Sequence, residues 1–290
     1  MLGSTPTLRV EPVTERRPAQ PSIDVPSNAD LLESILTVEG SFGDSYNRFH
    51  AYSLRNVGFL AMQGCPPEPV ATFKRWQELG YHVKKGERAY SILRPITVKV
   101  KGGEGPEPAA EAEHDQPKMM RRFKVVRALF HYAQVAGEGE LPPYVPPTWD
   151  EARALETLDI TEEPFRLFNG NVMGYAYDRT IAVSPVAPYP FKTKMHELGH
   201  VVAGHTEDAW DDEDDREAMH QGINEFQAES TAYLALHQLG AEGQMNASES
   251  RAYVQHWLRG GEPSEVDVRQ VFSATDRIIR AGQISIDPTD

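Results

Sequence analysis

Apolar positions recur along the chain with two periods, and each period predicts an element. Residues 28–38 and 44–62 carry them at helical spacing, the second through Phe49, Tyr52, Leu54, Phe59 and Leu60. Val70 to Leu79 (VATFKRWQEL) repeats the pattern over a shorter span and Gly80 closes it, because glycine takes the left-handed conformation that ends a helix. Lys84-Lys85-Gly86-Glu87 reads as a turn into a strand, Ala89 to Val100, and Phe123 to Val135 as a second strand of β-branched and aromatic residues. Further on, Asn169 to Tyr177 and Thr180 to Val183 predict a hairpin turning at Asp178-Arg179. Met195, Leu198, Val201 and Val202 give one helical stripe, and Ile223, Phe226, Tyr233, Leu234 and Leu236 give another within Gly222 to Leu239. The order predicts an α+β fold: a small α+β N-terminal domain (28–137), a Pro-rich linker (138–148), and a mostly helical domain with a short β-sheet (149–285).

Charge divides the chain in the same place. Residues 46–101 hold ten Lys/Arg against three Asp/Glu, and residues 117–136 hold five against none, whereas residues 137–290 carry 28 acids against 11 bases. Between the two basic stretches lies an acidic, Gly- and Pro-containing run, expected to be a flexible loop (102–117). A basic module with interleaved aromatics suits single-stranded nucleic acid, since cations neutralise phosphates and aromatic faces stack on unpaired bases. The candidates are Arg55, Lys74, Arg75, Lys84, Lys85 and Arg88, with Trp76, Tyr81 and Tyr90 among the aromatics and Tyr81 or Tyr90 expected to be exposed. Residues 1–27 are rich in Pro, Thr, Arg and Glu without an apolar core and read as a disordered arm. Their lack of a signal-peptide pattern, one cysteine (Cys65) and no bilayer-length apolar run predict a cytoplasmic protein with no membrane partner.

The most specific chemistry is His196-Glu197-Leu198-Gly199-His200. Two imidazoles four apart on a helix share a face and can hold one metal ion, zinc by donor type, while Glu197 beside them is placed as the general base of a metal-assisted hydrolysis. A third ligand must come from elsewhere. The HExxHxxGxxH pattern is not met, because Gly204 and His205 follow His200 by four and five residues. Glu225 and Glu229, four apart on the next predicted helix, supply two carboxylates on one face, one to ligate and one to orient a ligating His through its other ring nitrogen. An oxyanion stabiliser is open among Tyr175, His205 and His220. The run Asp211 to Asp215 lacks calcium-loop spacing and reads as a solvated loop.

The segments YSLRNVGFLAMQG, TFKRWQELGYHVKKGERAYSILRP and FKVVRALFHYAQVAGEGEL resemble the N-terminal domain of the ArdC family of antirestriction proteins. That resemblance implies single-stranded DNA binding by residues 28–137. KTKMHELGHVVAGH and INEFQAESTAYLALHQLG resemble the zincin-like metallopeptidase domain of ArdC and of ImmA/IrrE-type proteins. It implies a zinc-dependent metallopeptidase with a protein or peptide substrate, His196, His200 and Glu229 as the ligands, and Glu225 as the alternative. The expected function is a DNA-associated zinc metallopeptidase acting in antirestriction or repressor cleavage. The alternatives are a non-proteolytic DNA-binding antirestriction protein with a structural zincin domain, and a sensor peptidase whose N-terminal domain binds protein.

Overall fold

The computed structural model describes residues 25–38, 42–99, 119–145, 147–167, 172–206, 222–261 and 263–284. The arm (1–27, apart from its last three residues), the acidic loop (102–117), Asn169 to Asn171, the Asp211 to Asp215 run and His220 lie outside these residues.

Helix α1 (Asn28–Ile35) starts where Ser27 Oγ accepts the Asp30 N–H at 3.0 Å, relieving one of the unpaired donors of a first turn. The single helix expected over 44–62 is two: α2 (Phe42–Ser45) and α3 (Leu54–Met62). Polar side chains break it. Asn47 Oδ1 accepts the Tyr52 N–H at 3.0 Å, and Ser53 sits extended ahead of α3, uses that compete with helical bonding. The helix expected over 70–79 likewise opens as strand β1 (Val70–Thr72) before α4 (Phe73–Glu78), with Thr72 Oγ1 accepting the Arg75 N–H at 3.2 Å. Gly80, at φ +82°, then turns the chain into β2 (Tyr81–Val83).

Strands β3 (Tyr90–Lys99) and β4 (Met119–His131) form a long antiparallel hairpin, and β1 pairs with the far edge of β4, giving the order β1-β4-β3. The second strand expected over 123–135 therefore starts and ends earlier: residues 132–134 coil into one 3₁₀ turn, and β5 (Val135–Gly137) pairs with β2 instead.

In the second half, α5 (Glu151–Leu158) leads to β6 (Thr161–Glu162), β7 (Gly174–Tyr177) and β8 (Thr180–Val183), in the order β6-β8-β7. Then follow α6 (Pro190–Ala203), α7 (Ile223–Leu239), α8 (Ala247–Gly260) and α9 (Glu265–Gly282). Helix α7 is buried almost all round, so it shows little amphipathic pattern and forms the centre of the helical layer. Helix α6 crosses it closely at Gly199, where a Cβ would lie 3.1 Å from the Ala228 Cα. That contact sets the two carboxylates of α7 opposite the histidines of α6.

The Pro-rich stretch joins the halves without separating their packing. Leu31, Leu32, Ile35, Val57 and Leu60 share one buried cluster with Leu234, Val271, Phe272 and Ile278. The Glu265 carboxylate of α9 accepts from the Asn28 and Ala29 N–H groups at 2.9 and 3.3 Å, capping α1 from across the molecule. Arg55 lies between the halves, its guanidinium 5.5 Å from the Phe123 ring centre and 5.8 Å from that of Phe272. No described helix is long and apolar enough to cross a membrane.

Candidate metal centre

Helix α6 is fixed at both ends before its histidines are considered. Pro190 fills its first turn, where the missing N–H costs nothing. At the other end Gln270 and Arg277 of α9 donate to the Ala203 and Val202 carbonyls at 3.0 and 2.9 Å, and Gly204 takes the left-handed cap at φ +82°. On this rigid support His196 and His200 stack one turn apart, with Nε2 atoms 3.2 Å from each other.

The structure assigns different positions to the two carboxylates of α7. Glu225 faces both rings: Oε1 is 3.1 Å from His200 Nε2, and Oε2 is 3.4 Å from His196 Nε2. Among the described residues, His196, His200 and Glu225 form the group whose donor atoms converge as a metal site requires. Glu229 lies on the other side of the His196 ring. Its Oε2 is 3.2 Å from His196 Nδ1 and 2.6 Å from Lys192 Nζ, and its Oε1 accepts the Ser250 hydroxyl at 2.6 Å. Three donors thus occupy the carboxylate that the sequence resemblance puts on the metal, while the alternative, Glu225, stands with the two histidines.

Electrostatics follow from this arrangement. Burial disfavours a charged His196, but the Glu225 and Glu229 carboxylates outweigh it and push the ring up to about 10. Burial and the neighbouring His196 charge push His200 down to about 4. Burial alone would raise Glu229, yet His196 and Lys192 hold it at about 2. A proton on His196 therefore occupies, in the metal-free chain, the cationic place between carboxylates that a metal ion would fill. Its stabilisation is fully present below the ordinary histidine pKa and is lost as pH rises through about 10. Metal binding must displace that proton, so affinity should rise about tenfold per pH unit from pH 7 upward and level off above about 10. Calorimetry in buffers of different ionisation enthalpy should count one proton released per ion at pH 7.5; a count near zero would contradict the raised His196.

Glu197 is 3% exposed and lies between α6 and the sheet, where a Cβ added to Gly174 would come 2.6 Å from its Oε1. Only a glycine at the start of β7 lets this carboxylate sit so close to the strand. Alternation along β7 puts Gly174 and Ala176 on the face toward the core and Tyr175 on the opposite face. The Tyr175 hydroxyl donates to Glu163 Oε1 at 2.9 Å, and its ring rests near Phe165 and Tyr177, so the oxyanion candidate of the sequence is turned from Glu197. His205, the other described candidate, is 3.0 Å from His200 Nδ1. Tyr253 of α8, which no motif marks, has its hydroxyl pKa raised by burial and by the charges of Glu225 and Glu229.

The basic candidates of the N-terminal half scatter. Arg55 is half-buried in the Phe123–Phe272 contact, and burial lowers its pKa. Lys74 and Arg75 pair with Glu78 at 3.6 and 3.1 Å, and Lys84 Nζ donates to the Ala133 carbonyl at 2.8 Å. Lys85 and Arg88 are exposed. Trp76 and Tyr81 are buried, and Tyr90 packs against the main core and His131, so the exposure expected of Tyr81 or Tyr90 is not met; Phe73 (50%), Phe123 (40%) and Tyr132 (40%) are the outward aromatics instead. The β3–β4 hairpin adds residues that composition alone does not single out. Arg94 stands directly opposite Lys124, with Arg122 two positions along the same face, and all three are exposed. Like charges facing each other across strands cost stability, which an anionic ligand would offset.

Residues 36–128 match the family model described as the N-terminal domain of anti-restriction factor ArdC, so this part of the chain is ArdC-like. The chain is also similar, over most of its length, to two crystal structures of the antirestriction ArdC protein from plasmid R388. The metal-free one is 18% identical with a TM-score of 0.49, covering 88% of this chain and 94% of that one. The Mn(II)-bound one is 17% identical with a TM-score of 0.47, covering 88% and 96%. No curated protein matches the chain.

Proposed function

We propose that this chain is a zinc-dependent metallopeptidase of the ArdC and ImmA/IrrE type, coupled to a module that binds single-stranded DNA, and that it acts on a protein in the cytoplasm in antirestriction or repressor cleavage. The observation that carries the catalytic part is the convergence of His196 Nε2, His200 Nε2 and the Glu225 carboxylate, whose two oxygens lie 3.4 and 3.1 Å from the two rings, themselves 3.2 Å apart. Two imidazoles and one carboxylate are the donor set of a hydrolytic zinc site with a position left open. Zinc held there would supply a Lewis acid for a peptide carbonyl. Glu197 is the proton acceptor, buried beside the first ligand and held against β7. Glu229 orients His196 through Nδ1. Strand β7 is at the edge of its sheet, where an extended peptide can add by backbone pairing beside Glu197.

Glu197→Gln should retain zinc and lower peptide turnover by about 10²- to 10⁴-fold. Comparing the proteomes of cells expressing wild type and Glu197→Gln tests the reading and identifies the substrate through neo-termini present only with wild type. Identical termini in the two would reject the peptidase, and retained single-stranded DNA binding would then point to the non-proteolytic antirestriction role. A zinc-loaded chain that cleaves but does not bind DNA would leave the sensor peptidase.

A further inference from the structure

The second metal histidine is held by a line of hydrogen bonds that leaves the site and ends on α9. His200 Nδ1 is 3.0 Å from His205 Nδ1, and His205 Nε2 is 2.7 Å from Gln227 Oε1. Gln227 Nε2 donates to Asp267 Oδ1 at 3.1 Å and points at the Asp267 carbonyl at 3.5 Å. Asp267 is itself fixed, accepting from the Ser264 N–H and hydroxyl at 2.8 and 2.6 Å in the capping box of α9.

The direction of this line is set at its far end. Asp267 presents only acceptors to Gln227, so the Gln227 amide must turn its NH₂ toward it and its oxygen toward His205. That oxygen requires a proton on His205 Nε2. A neutral His205 then carries a lone pair on Nδ1, which accepts the Nδ1–H of His200. His200 Nε2 is left unprotonated, facing the Glu225 oxygen 3.1 Å away. His196 Nε2, 3.2 Å away, is the group that can donate to that lone pair when no metal is bound.

We infer that His205 is a positioning residue for the metal: with Gln227 and Asp267 behind it, it keeps the proton of His200 on Nδ1 and aims the Nε2 lone pair into the site. The inference rests on the metal reading above and deepens it. It also gives a role to a histidine that fails the spacing of a third ligand: both of its nitrogens are engaged.

The test uses the full chain. His205→Phe keeps a ring of similar bulk without the acceptor, and should weaken zinc affinity about 10- to 100-fold in a chelator competition, the usual cost of losing such a partner. His205→Asn returns an acceptor near the Nδ1 position and should recover most of that loss, which a purely space-filling role would not. The expected tautomer is read directly, without metal, from the ¹⁵N shifts of His200: Nδ1 protonated and Nε2 not, in wild type and His205→Asn alike. Zinc affinity of His205→Phe equal to wild type, an Asn variant as weak as Phe, or a protonated His200 Nε2 in the wild-type chain would each overturn the inference. If wild type binds no zinc at all, the metal reading fails, while the tautomer measurement still decides the hydrogen-bond line by itself. Should His205→Phe not fold, the His205→Asn affinity and the two spectra decide.

Discussion

Glu225→Ala should strip zinc from the protein as fully as His196→Ala or His200→Ala, whereas Glu229→Ala should keep a full equivalent, bound about 10- to 100-fold more weakly. The difference comes from which nitrogen each carboxylate meets. Glu225 stands at the Nε2 atoms of both histidines, so its loss leaves two ligands where a hydrolytic zinc site takes three. Glu229 meets His196 on Nδ1 and is further satisfied by Lys192 and Ser250. Its removal loosens the ring and leaves the Lys192 charge without its partner, but takes no donor from the metal. Metal content of the purified variants by mass spectrometry, followed by competition against a chelator, separates the two. Zinc retained in Glu225→Ala and absent from Glu229→Ala would return the ligand role to Glu229 and make the observed geometry one that only the metal-free chain adopts.

That His196 and His200 share one face of a helix is legible in the sequence because the information is local: helical spacing inside an apolar stripe brings the two rings together. Which carboxylate faces both Nε2 atoms is not, because Glu225 and Glu229 share one face of α7 and differ only in how α6 crosses it at Gly199. His205 escapes for the same reason; its value lies in Gln227 and Asp267, which are 22 and 62 positions away along the chain and meet it only through packing of α7 and α9. The hairpin of the N-terminal half follows from β-branched alternation, yet the break between α2 and α3 goes with local polar uses, the Asn47 side chain accepting a backbone N–H and Ser53 sitting extended ahead of α3. Charge is legible in sum and misleading in detail. Arg55 counts as a cation in composition, but the fold uses it as packing between Phe123 and Phe272.

That distinction sets what should happen to DNA binding. In the full chain, replacing Arg94, Arg122 and Lys124 together by Ala should weaken single-stranded DNA binding more than replacing Lys84, Lys85 and Arg88, because the first three share one exposed face of the hairpin whereas Lys84 is engaged with a carbonyl. Three lost phosphate contacts should flatten the slope of log affinity against log salt by about 2, at roughly 0.7 per contact for a single strand. Arg55→Ala should act on stability instead, since its guanidinium joins the halves. The same packing argues against testing residues 28–137 alone, which would expose the apolar faces of Leu31, Leu32 and Ile35 that the second half covers. For stacking, Tyr132→Ala is the informative variant: the ring is 40% exposed yet braced 5.8 Å from Tyr81 and 6.1 Å from Trp76, and its loss should cost about 1–3 kcal/mol if a base rests on it. Fluorescence anisotropy with a labelled oligonucleotide over a salt series measures both effects. Equal slopes for wild type and the hairpin triple variant, with a flattened slope for Lys84, Lys85 and Arg88, would move the contact to the turn before β3, and no binding by wild type at low salt would reassign the N-terminal half to protein recognition.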